Sequence, residues 1–148
     1  VLLPPAPPAS SPGVARIMRR NRCRDTAAEL AVRRELHRRG YRFLVDATPA
    51  GTNRRRRADV VLRGPRIALF VDGCFWHSCP EHLHLPRANA DWWRAKLASV
   101  VARDRDTDRH LLEHGWWPTR AWEHEDPADV VDDVAVAVRL RRILAALA

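Results

Sequence analysis

The chain has 148 residues, 46% of them hydrophobic, which is enough for one domain around a single core. It carries 26 Lys and Arg against 18 Asp and Glu, a formal charge of +8, and all of these basic residues but Lys96 are arginine. That balance suits bidentate phosphate contact and points to nucleic acid. No run approaches the ~20 apolar residues of a bilayer span, so no membrane segment is expected.

Residues 1–13 hold Pro4, Pro5, Pro7, Pro8 and Pro12 and lack the basic start of a secretory signal. They read as a disordered leader, with the folded domain over 14–148. Arg16, Arg19, Arg20, Arg22 and Arg24 then form a basic arm ahead of the first helix. Asp25-Thr26, with Glu29 three residues after Thr26, is a capping box, and Gly40 stops the helix it opens. Leu30, Val32 and Leu36 give that helix an apolar side.

A strand is expected from Tyr41 to Val45, then a loop carrying Arg54 to Arg57. Ala58 to Leu62 and Ile67 to Asp72 read as two strands of a hairpin turning at Arg63-Gly64-Pro65-Arg66. The second is apolar from Ile67 to Val71, as a strand covered on both faces would be. Residues 73–89 form a long loop, and loops of that length in compact domains are usually functional. A helix from Ala90 to His114, a strand from Trp116 to Trp122 and a helix capped by Asp126-Pro127 complete the chain.

The chemistry concentrates at Phe70-Val-Asp-Gly-Cys-Phe-Trp-His-Ser-Cys-Pro80. Cys74 and Cys79 stand five apart beside histidines, and the odd total of three cysteines argues for metal ligation in a reducing cytoplasm. Zinc takes four N/S ligands; His82 and His124 are the best completions, with His84 and His77 competing. Asp59, inside a strand and preceded by four arginines, is the natural ligand for a hard cation such as Mg²⁺. His77 has the side chain suited to a general base near neutral pH. Phe75-Trp76 and Trp92-Trp93 are aromatic pairs in a loop and at a helix start. Trp92 is assigned to packing, as are Trp116, Trp117 and Trp122.

Asp25-Thr26-x-x-Glu29, Asp59, Val71 to His77 and Trp122-Glu123-His124, in this order, resemble the very-short-patch repair (Vsr) DNA mismatch endonucleases from Val14 to His124. The resemblance implies a PD-(D/E)XK nuclease fold, a central mixed sheet flanked by helices with a structural zinc, nicking DNA beside a T:G mispair with Mg²⁺. It further implies that the backbone carbonyl of Val71 joins Asp59 at Mg²⁺, that Asp72 and Glu29 support the metal waters, and that His77 is the base. Phe75, Trp76 and Trp93 would then open the duplex, and Arg19, Arg20, Arg22 and Arg24 would contact it. The expected setting is a monomer in a prokaryotic cytoplasm, associated with the nucleoid and linked in function to a cytosine-5 DNA methyltransferase. Two features depart from the fold's namesake motif: Ala58 precedes Asp59 in place of proline, and no acid-x-Lys follows Asp72. A general nuclease of this fold and a non-catalytic zinc-stabilised DNA-binding module are the alternatives.

Overall fold

In the computed structural model, which describes residues 2–21 and 23–148, β1 (Leu44–Ala47), β2 (Ala58–Leu62), β3 (Ile67–Asp72) and β4 (Trp117–Trp122) form one sheet in that order. The first two pairings are antiparallel and β3–β4 is parallel. The parallel pairing requires a crossover, supplied by α3 (Ala90–Glu113). The other helices are α1 (Pro12–Arg20), α2 (Ala27–Arg38) and α4 (Pro127–Leu147). Arg22, one of the expected DNA-contacting arginines, lies outside the described residues.

Two clusters show how the helices cover the sheet. Val60, Leu62, Ile67 and Leu69 meet Val32 and Leu36 of α2 and Val130, Val131 and Val134 of α4. Val61, Ala68 and Phe70 instead meet Leu111 of α3 and Trp116. Alternate residues of β2 and β3 thus bury against opposite layers. This explains why β3 is apolar at consecutive positions. The expected mixed α/β sheet flanked by helices is what forms.

Three local expectations need correction. The first part of the basic arm is helical, since Arg16, Arg19 and Arg20 lie on α1 and Arg24 lies beyond it. Ser11 caps it by accepting the Val14 N–H at 3.2 Å, and Pro12 occupies its first turn, a start signal hidden in a proline-rich run. The expected 13/14 boundary therefore cuts through a helix, although residues 2–11 form no helix or strand. β1 begins at Leu44 and not at Tyr41, because Tyr41 and Phe43 pack against the core before pairing starts. Leu30 is exposed, while Glu29 and Arg33 are buried on α2.

The remaining elements match in kind and nearly in bounds. Thr26 caps α2 through the Glu29 N–H at 3.2 Å, and the Glu29 carboxylate returns to the Asp25 N–H at 2.9 Å. Asp126 caps α4, with Pro127 next. Among the described residues no helix is long and apolar enough to cross a membrane.

Candidate active site and metal cluster

Strand register fixes the location. Val60 pairs with Leu69, so the start of β2 lies beside the end of β3, and Asp72 is in register with Trp122 at the end of β4. Asp59, Asp72 and Glu123 therefore lie at the same end of the sheet. They line an open cleft of about 1410 Å³ whose walls include Glu29, Phe75, Trp76 and His77. Arg55, Arg56 and Arg57 from the β1–β2 loop and Lys96 and Arg103 from α3 add positive charge to the same walls. An acidic floor within a basic rim can draw in a polyanion and hold a divalent cation beneath it.

Asp59 Oδ2 accepts the Val71 N–H at 2.7 Å. Burial pushes its carboxyl up to about 6; the Val71 N–H opposes this, and the charges of Glu29 and Asp72 reinforce it. Burial likewise raises Asp72, against the pull of Arg120 and His77. A half-buried carboxylate such as Asp59, with Glu29 and Asp72 close by, is poorly stabilised as an anion by protein alone. That is the donor chemistry a hard divalent cation fits.

Glu29 serves two structures at once. Its carboxylate closes the capping box and pairs with buried Arg33 at 3.0 Å, while its side chain lines the cleft.

His77 is held by a residue that the sequence did not single out. Its Nδ1 donates to Asp104 Oδ2 at 2.6 Å, with Asp72 Oδ1 farther off at 3.6 Å. A carboxylate acceptor places the proton on Nδ1, leaving Nε2 with a free lone pair. Asp104 escaped notice because it sits in the run Arg103-Asp-Arg-Asp-Thr-Asp108, which reads as a solvated helix face. Arg120 was missed for a similar reason, as a single charge in a strand, and Glu123, part of the Trp122-Glu123-His124 motif, was given no role. Glu123 Oε1 accepts the Cys74 N–H at 2.8 Å and so anchors the start of the 73–89 loop.

That loop then folds back on itself. The Cys79 N–H bonds the Cys74 carbonyl at 2.8 Å, and Ser78 adopts a left-handed φ of 59°. The turn brings Cys74, Cys79, His82 and His124 together, with one ligand atom from each within 4.8 Å of the others. Cys74 Sγ lies 3.1 Å from His124 Nδ1, and Cys79 Sγ lies 3.6 Å from His82 Nδ1. Ligands on a tetrahedral zinc stand about 3.5 Å apart, given Zn–S near 2.3 Å and Zn–N near 2.0 Å. Burial, with Cys79 alongside, pushes the Cys74 thiol up to about 11, so thiolates here call for a cation between them. The residues present fit zinc. His77 stays outside this cluster, paired to Asp104.

The aromatic residues form a connected group. Phe75 meets Trp76 and Trp93 edge to face, each at 5.2 Å, and Trp92 stands 4.9 Å from Trp93. Trp76 is the most exposed, at 38%, whereas Trp93 is buried beneath the loop. Trp92 Nε1 donates to the Pro4 carbonyl at 3.1 Å. Arg24 pairs with Asp46 at 2.9 Å, and Arg19 and Arg20 are exposed on α1.

The family described as DNA mismatch endonuclease Vsr matches residues 14–82. Type II nicking enzyme V.NaeI of Lentzea aerocolonigenes is 39% identical over 120 residues, 80% of this chain and 72% of that protein. Type II nicking enzyme V.XorIIP of Xanthomonas oryzae pv. oryzae is 35% identical over 130 residues, 86% and 89% of the two chains. DNA mismatch endonuclease Vsr of Escherichia coli is 36% identical over 110 residues, 72% and 66%. The chain belongs to the Vsr family of DNA mismatch endonucleases and is by class an endodeoxyribonuclease.

Proposed function

We propose that this protein nicks one strand of duplex DNA beside a T:G mispair, on a PD-(D/E)XK fold, with Mg²⁺ at Asp59 and zinc at Cys74, Cys79, His82 and His124. The observation that carries this reading is the placing of a fixed imidazole, His77, and a half-buried carboxylate, Asp59, in one cleft beside an exposed aromatic side chain. A pure binding module has no use for the first two, and a general nuclease has none for the third.

The chemistry follows from the side chains. Mg²⁺, held by Asp59 and the Val71 carbonyl, would polarise the scissile phosphate and favour hydroxide over water. His77 Nε2 takes the proton of the attacking water as its oxygen bonds to phosphorus and the P–O bond to the leaving sugar oxygen breaks. Asp104 holds the imidazolium that forms. Asp72 and Glu29 accept hydrogen bonds from water in the cleft. Arginines of the rim and of α1, Arg19 and Arg20 with Arg24 beyond, bind phosphates without reading sequence. The thymine of such a mispair arises when 5-methylcytosine deaminates, so a cytosine-5 DNA methyltransferase is the functional partner. The working form is a monomer on nucleoid DNA in the cytoplasm.

Phe75 and Trp76 act as the wedge. Unstacking is cheapest at a mispair, so their contribution should be largest there. Alanine at both is expected to weaken binding to a T:G duplex by about 1–3 kcal/mol per stacked base, while matched-DNA affinity and its salt dependence persist. Titration of both duplexes by fluorescence anisotropy checks this, alongside zinc content and melting temperature. Equal weakening on both duplexes would replace mismatch recognition with general nuclease action.

A further inference from the structure

Arg120 lines the cleft next to His77, yet its guanidinium is held by protein carboxylates on every nitrogen. Nε donates to both oxygens of Asp108 at 3.1 Å, and Nη1 spans both oxygens of Asp72 at 2.9 Å. Nη2 reaches Asp108 at 2.9 Å and the Asp104 carbonyl at 3.4 Å. Protein acceptors thus hold all three nitrogens of the fork. The guanidinium carbon also rests 4.5 Å from the centre of the Phe70 ring, which fixes the group against β3.

The consequence falls on His77. Two carboxylates flank its Nδ1, Asp104 at 2.6 Å and Asp72 at 3.6 Å. Arg120 draws both oxygens of Asp72 toward itself and stands 3.9 Å from Asp104 Oδ1, which leaves Asp104 Oδ2 as the nearer acceptor for the imidazole proton. We propose that Arg120 is a positioning residue: by clamping Asp72 it dedicates Asp104 to His77 and so fixes where Nε2 points. The inference rests on the reading of His77 as the base. Without the clamp, Asp72 competes for Nδ1, and the ring tilts toward the end of β3. A displacement of about 1 Å in a reacting group is worth on the order of 10²-fold in rate.

The test compares Arg120→Met and Arg120→Lys with the parent, all with zinc bound. The expected result for Arg120→Met is a single-turnover nicking rate lowered about 100-fold at saturating DNA, with unchanged affinity and unchanged salt slope. The low-field Nδ1–H proton of His77, assigned by ¹⁵N-imidazole NMR, should shift or vanish in the same variant. Arg120→Lys keeps the charge but cannot fork across Asp72 and Asp108, so it should recover only part of the rate. It carries the test if Arg120→Met melts early. A salt slope lowered by about 0.9 would make Arg120 a phosphate ligand and overturn the proposal. A parental rate with an unmoved His77 proton would overturn it as well. His77→Ala, assayed in parallel, isolates the parent reading: should it nick normally, His77 is not the base, while the proton shift still reports whether Arg120 holds the ring.

Discussion

Asp59→Asn is expected to lower the single-turnover nicking rate at least a thousandfold in Mg²⁺, while duplex affinity stays within a few-fold of the parent. A thousandfold corresponds to about 4 kcal/mol of transition-state stabilisation, a reasonable share for a cation that neutralises charge at phosphorus. Asparagine keeps the size of the side chain and its acceptor for the Val71 N–H, so the strand pairing around it should survive. What it loses is the charge. Nothing else at the start of β2 replaces it, because Ala58 and Val60 on either side are buried and apolar. Quantifying labelled product by gel under single-turnover conditions decides the matter. A variant that nicks at near the parental rate would move the metal elsewhere.

The same carboxylate gives a pH signature in protein carrying zinc but no Mg²⁺. Its folded pKa of about 6 stands above its ordinary value of 3.8, so the folded state holds a proton that the unfolded chain releases. That contribution is complete below about pH 4 and is lost as pH rises through about 6. Added Mg²⁺ should therefore raise the melting temperature at pH 7.5 more than at pH 5. The difference should disappear in Asp59→Asn. Differential scanning fluorimetry without chelator measures both, since a chelator would also strip zinc.

The fold was legible wherever pattern and caps agreed. Thr26 with Glu29, Asp126 with Pro127 and the apolar run Ile67 to Val71 each named an element that formed where expected. α1 was hidden because its Ser11-Pro12 start lies inside a proline-rich stretch and its arginines resemble a tail. The site divides in the same way. The two thiols could be paired from spacing, whereas His82 and His124 were only the best completions, with His84 and His77 competing. Asp104 and Arg120 could not be found from spacing, since a charge on a helix or strand gains meaning only from what stands across from it. The parallel pairing of β3 and β4 sets Arg120 beside Phe70, and α3 folds Asp104 over His77. Both are long-range consequences of the crossover, and no local pattern carries them. Trp93 shows the converse: its helical spacing marks it for the core and the family resemblance marks it for DNA, and in the folded chain it is buried under Phe75.

Cys79→Ser is expected to remove one equivalent of zinc and to cost several kcal/mol of stability. Cys79 is fully buried, and its sulfur lies 3.6 Å from His82 Nδ1 and 3.9 Å from His124 Nδ1. The cluster joins the 73–89 loop to the end of β4, two segments otherwise linked through Glu123 and the Cys74 N–H. Structural zinc binding is folding free energy, reaching about 10–16 kcal/mol where the metal is the whole core. Here a separate core of β2, β3, α2 and α4 packs without any of the four ligand side chains, so the loop's share is what is at stake. At about 2–4 °C per kcal/mol for a chain of this size, a loss near 3 kcal/mol should lower the melting temperature by roughly 10 °C. Nicking should fall with it, because His77 rides on the same loop two residues before Cys79. His82→Ala should behave in the same way and His84→Ala should not, which separates the two histidines that spacing alone left competing. Elemental analysis and thermal melts of the three variants supply the readout. A parent protein free of zinc, or a Cys79→Ser variant that keeps both its zinc and its melting temperature, would leave these four side chains without a metal to hold.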